Sequence, residues 1–64
     1  MIRVLVVEDE PRIADAHRAY VDRLPQFTVV AVAGTGRNAL RAVAEAAKAG
    51  EPVDLVLLDI GCPT

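Results

Sequence analysis

Ile2-Arg3-Val4-Leu5-Val6-Val7-Glu8-Asp9 decides how this chain folds. Apart from Arg3 the run Ile2–Val7 is apolar and rich in β-branched residues, and two acids end it. A short apolar run without polar alternation reads as a strand covered on both faces, the pattern of a parallel sheet. Phe27–Ala33 and Val53–Leu58 have the same character, and the second of these also ends in an acid, Asp59.

The stretches between these runs have helical spacing. Pro11 stands where a helix begins, because its missing N–H costs nothing in the first turn. Ile13, His17, Tyr20, Val21 and Leu24 then form an apolar stripe, with Arg12, Asp15, Arg18 and Asp22 on the other face. Leu24-Pro25 ends the helix, since a residue before proline avoids the helical region. After the second strand, Gly34-Thr35-Gly36 breaks the chain and Thr35 is placed to cap a second helix. Ala39, Leu40, Val43, Ala46 and Ala47 predict the apolar stripe of that helix, and Arg41, Glu45 and Lys48 face solvent. Gly50 is placed as a C-terminal cap with Pro52 beyond it. Gly61-Cys62-Pro63-Thr64 leaves the third strand as a loop. The order β-α-β-α-β predicts an α/β fold with a parallel sheet and right-handed crossovers.

Composition narrows the function classes. The chain has 64 residues, 53% of them hydrophobic, too many for a disordered segment. A formal net charge of −2 and scattered arginines and lysines offer no nucleic-acid site or anionic-membrane surface in this segment. A single cysteine, Cys62, excludes an internal disulfide and fits a reducing compartment, so a cytoplasmic location is expected. The apolar runs fall far short of the ~20 residues of a membrane span, and Met1-Ile2-Arg3 shows no signal-peptide layout. Val53–Leu58 reads as a fully buried central strand with an apolar outer edge open to pairing, although the sequence continues only to Thr64. Residues 1–64 are therefore expected to be the first part of one doubly wound domain, with its second half and any output domain absent.

Three parallel strands joined in this way can be ordered 3-2-1 or 2-1-3. The first order puts strand two between the acids of strands one and three. The second makes strands one and three neighbours at a switch point, where ligands bind outside the carboxyl ends of strands. Only that order brings Glu8, Asp9 and Asp59 together. Crowded carboxylates repel unless a cation neutralises them, and hard oxygen donors suit Mg²⁺. A carboxylate beside Mg²⁺ can act as a nucleophile toward phosphorus, which would make an aspartyl phosphate.

The segments Val4-Leu5-Val6-Val7-Glu8-Asp9-Glu10, Gly36-Arg37-Asn38-Ala39-Leu40 and Asp54-Leu55-Val56-Leu57-Leu58-Asp59-Ile60-Gly61-Cys62-Pro63 resemble the N-terminal half of a response-regulator receiver domain of two-component systems. Ile13–Phe27, with Tyr20-Val21 and Pro25-Gln26-Phe27, most resembles the branch responding to citrate and other dicarboxylates. The resemblance implies a flavodoxin-like sheet of order 2-1-3. It implies Asp59 as phosphoacceptor, Asp9 as a direct Mg²⁺ ligand, Glu8 acting through water, and the backbone carbonyl of Gly61 completing the protein ligands. It implies phosphoryl transfer from a sensor histidine kinase, a signalling role rather than that of an enzyme, and transcription control through a DNA-binding output domain. Receivers also use a Ser or Thr ending strand four and a Lys ending strand five, neither of which falls within this sequence. The 64-residue polypeptide alone is therefore expected to phosphorylate poorly.

Other readings compete for the same residues. An open third strand would let the chain self-associate as a non-signalling module or homodimer. Gly34-Thr35-Gly36-Arg37-Asn38-Ala39 matches a dinucleotide fingerprint through Gly34, Gly36 and Ala39, and Asp59 lies about 20 residues beyond it. The glycines follow the second strand rather than the first, and this reading leaves Glu8 and Asp9 without a task. His17 lies on the apolar stripe with no acid partner evident from spacing, so a packed or rim histidine is expected. Cys62 reads as a packed loop residue, and Glu10 as solvated or favourable near a helix start.

Overall fold

A computed structural model describes residues 1–59. Strand β1 (Ile2–Val7), helix α1 (Pro11–Asp22), strand β2 (Phe27–Ala33), helix α2 (Gly36–Lys48) and strand β3 (Leu55–Leu58) follow one another in the expected alternation. The three strands form one parallel sheet in the order β2-β1-β3, which is the strand order of a flavodoxin-like sheet.

β1 is central because its residues are apolar on both faces. Val4, Leu5, Val6 and Val7 are each 1% exposed or less. Side chains alternate across a strand. Val4 and Val6 therefore join Val21 of α1, with Phe27, Val29 and Leu57 packed around them. Leu5 and Val7 join Ala33 on the opposite face, with Ala31, Ala39, Ala42 and Val53. α1 thus covers one face of the sheet and α2 the other. β2 takes up one extra residue between the partners of Val4 and Leu5, a bulge at Val30 on a sheet edge.

The helix faces match the predicted stripes in part, with Val21 and Ala39 inward as expected. In α1 the buried residues are Ala14 and Val21, whereas Ile13 and Tyr20 are exposed. In α2 no residue is fully buried; Ala39 and Ala42 meet the sheet while Leu40 is 75% exposed. Alanine lets a helix axis come close to a sheet, and the close face then turns the larger residues at its flanks outward. β3 is an edge rather than a covered central strand among the described residues: Leu55, Val56 and Leu58 are exposed.

Local signals set the ends of the helices. Glu10 caps α1 by accepting from the Arg12 N–H at 3.3 Å, and Pro11 follows at the first helical position. Thr35 Oγ1 accepts from the Asn38 N–H at 3.1 Å and caps α2. α2 ends with the Glu51 N–H donating to Ala46 O and the Gly50 N–H to Ala47 O, at 2.9 and 3.1 Å. This double closure is the Schellman motif, and it needs a residue at positive φ, here Gly50 at 77°.

Candidate functional site

The β1–β3 ladder pairs Val4 with Leu55 through to Val7 with Leu58. Glu8 and Asp59 stand one step beyond that last pair. Their backbones stay in the sheet: the Glu8 N–H donates to Ala33 O at 2.9 Å and the Asp59 N–H to Val7 O at 3.0 Å. Strand alternation puts both acids on the face of Val4, Val6 and Leu57, which is the face α1 covers. The carboxyl ends of adjacent strands thus present two carboxylates toward one helix.

α1 answers with His17, three residues after buried Ala14 and four before buried Val21. Its Nε2 lies 2.6 Å from Asp59 Oδ2. One donor atom each from Glu8, His17 and Asp59 falls within 4.8 Å of the others. Glu8 is only 5% exposed, and its Oε2 accepts from the Asp9 N–H at 2.9 Å, which fixes the carboxylate. The side chains of His17 and Asp59 are 31% and 50% exposed, so the centre has a fixed acid at its floor and an open mouth.

The predicted site residues are brought together in part. Glu8 and Asp59 converge as expected, whereas Asp9 is exposed and is not a member of the trio. Gly61, expected to offer its carbonyl, and Cys62 lie outside the described residues. His17 sits at the rim as expected, yet it has the acid partner that spacing did not reveal, 42 residues away along the chain. The signal was present in combination: His17 on the stripe of α1, and Asp59 on the strand face that α1 covers. Gly34, Gly36 and Ala39 sit at the end of β2, separated from Asp59 by β1, with Thr35 capping α2 and Ala39 packing it onto the sheet. The dinucleotide fingerprint is therefore away from the β1–β3 switch point where ligands of open sheets bind.

Among the described residues, no arginine or lysine pairs with Glu8 or Asp59. The basic side chain that meets these carboxylates among the described residues is the His17 imidazole, on Asp59. Such a donor set fits a divalent cation: two hard oxygen ligands at the ends of rigid strands, one of them buried and already oriented.

No protein-family model matches this chain, and no solved structure does. Curated proteins do match. The chain is 38% identical over 63 residues to the probable C4-dicarboxylate response regulator DctR of Halalkalibacterium halodurans, covering 98% of this chain and 25% of that protein. It is 44% identical over 61 residues to the transcriptional regulatory protein AruR of Pseudomonas aeruginosa, covering 95% and 24% respectively. It is 35% identical over 60 residues to the transcriptional regulatory protein DcuR of Escherichia coli K12, covering 94% and 24%. The chain spans about a quarter of the length of the curated relatives it matches.

Proposed function

We propose that this chain, which belongs with the N-terminal part of the response-regulator receivers of the dicarboxylate branch, carries the phosphoacceptor of a two-component signalling protein. The observation that supports this most is the meeting of Glu8 and Asp59 one step past the Val7–Leu58 pair of neighbouring parallel strands.

In this reading a carboxylate oxygen of Asp59 attacks the phosphorus of a phosphohistidine on a sensor kinase. The O–P bond forms, the N–P bond breaks, and the kinase imidazole leaves. Asp59 is half exposed, so a phosphohistidine from another protein can reach it. Asp59 and exposed Asp9, with Glu8 acting through water, would hold Mg²⁺, which would supply charge neutralisation for the phosphoryl oxygens. Glu8 is held in place by the Asp9 N–H, and the sheet ladder holds the Asp59 backbone. The chain serves as substrate and positioning frame rather than as a turnover enzyme. In the intact protein, in the cytoplasm, the aspartyl phosphate would control transcription through residues beyond those matched here.

Incubation with Mg²⁺ and a small acyl phosphate tests the reading. A hydroxylamine-sensitive phosphoryl group is expected on Asp59 and nowhere else. EDTA and Asp59→Asn should both abolish it. The yield in the 64-residue chain should be low, because the family's hydroxyl and lysine belong to later strands. Label of equal amount in Asp59→Asn would refute the assignment.

A further inference from the structure

We infer that Glu8, His17 and Asp59 form a mixed nitrogen–oxygen centre for a borderline divalent cation of the zinc class. Because Glu8 and Asp59 are also the acids assigned to Mg²⁺ above, the centre rests on that reading for its two carboxylates. What is added is His17 and a different metal preference. One donor atom from each of the three lies within 4.8 Å of the others. Mg²⁺ takes oxygen ligands, whereas an imidazole nitrogen suits Zn²⁺, Co²⁺ and Ni²⁺. Two carboxylates with a neutral imidazole balance a dication, and three protein ligands leave one position of a tetrahedral ion open.

Each ligand stands on a regular element. Glu8 and Asp59 follow paired strands, and His17 sits within α1 between buried Ala14 and Val21. The Asp9 N–H on Glu8 Oε2 orients a ligand from outside the metal shell. The 2.6 Å contact between His17 and Asp59 is a hydrogen bond. Two ligands with bonds of about 2.0 Å to a tetrahedral ion stand about 3.3 Å apart. From 2.6 Å the pair must therefore part by about 0.7 Å, which two partly exposed side chains can do. A zinc-class ion so bound takes up the carboxylate of Asp59, and phosphoryl acceptance stops while it is there.

The chain has one histidine, so its ring resonances identify His17 without mutagenesis. Zn²⁺ added to the untagged chain should shift those resonances at one equivalent, and Mg²⁺ should not reproduce the shift. Calorimetry should give Zn²⁺ at least ~10-fold tighter binding than Mg²⁺. His17→Asn should weaken Zn²⁺ binding about 10-fold or more and so remove most of that preference. Ring resonances unmoved by Zn²⁺, or Zn²⁺ affinity unchanged in His17→Asn, overturns the centre. If His17→Asn does not fold, the ring resonances of the natural chain decide alone. Zn²⁺ binding through His17 with no Mg²⁺ binding in either protein would uphold this centre and sink the Mg²⁺-dependent reading. Mg²⁺ binding with silent ring resonances would do the reverse.

Discussion

Glu8 is the one buried charged residue among the described residues. Burying a carboxylate is costly unless hydrogen bonds or a counter-charge offset it. The Asp9 N–H offsets part of that cost, and a cation in the centre would offset more. The two contributions can be separated by substitution. Glu8→Gln keeps an oxygen that can accept from Asp9, so urea unfolding should change little while Mg²⁺ affinity falls about 10- to 100-fold. Glu8→Leu also strips the acceptor and should cost a further ~1–3 kcal/mol of stability. Equal Mg²⁺ affinity in Glu8→Gln and the natural chain would remove Glu8 from the metal site. At this scale, Glu8 and Asp59 were legible in the sequence because each directly ends an apolar run. The contact of His17 with Asp59 was not. It depends on which way α1 is rotated about its axis, and the apolar stripe did not resolve that.

Elements were legible where local chemistry decides them. Pro11, Thr35 and Gly50 mark helix ends through their own backbone or side-chain requirements, and all three act as their residue types require. Helix rotation was harder, because Ile13, Tyr20 and Leu40 outweigh alanine in any reading by hydrophobicity. The structure adds Ala14 and Ala42 to the expected Ala39 at the interface, where a short side chain lets the helix approach the sheet. α2 depends heavily on its caps, since none of its residues is fully buried. Thr35→Ala removes the acceptor for the Asn38 N–H and should destabilise the fold by about 1 kcal/mol in urea unfolding. Thr35→Ser should restore most of that. A Thr35→Ala protein as stable as the natural chain would show that α2 is held by its sheet contacts instead.

For the whole molecule, the consequence of strand order is an uneven covering of the sheet. α1 and α2 both lie close against β1 and β2, and neither comes as close to β3, which meets the α1 face through Leu57 at the Val4, Val6 and Val21 cluster. An apolar trough of about 190 Å³ runs between α1 and β3, lined by Tyr20, Val21, Leu24, Leu55 and Leu57 among others. Among the described residues β3 bonds to β1 on one side only, so its other edge presents unpaired backbone donors and acceptors there. A chain this short buries only about 60% of its unfolded surface, which gives little stability to spare for an exposed apolar edge. Such an edge pairs with another copy unless charge or proline blunts it. The chain is therefore expected to self-associate as its concentration rises, observed by sedimentation velocity. Val56, 47% exposed within β3, is the position at which to test this. Val56→Lys places like charges in close succession across a β3–β3 contact and should return the chain to monomer. It should also leave the His17–Asp59 contact intact, since Val56 points to the face opposite Asp59. A natural chain that stays monomeric over the whole concentration range would show that β3 is adequately protected. Association that persists in Val56→Lys would move the contact from β3 to the trough beside Tyr20.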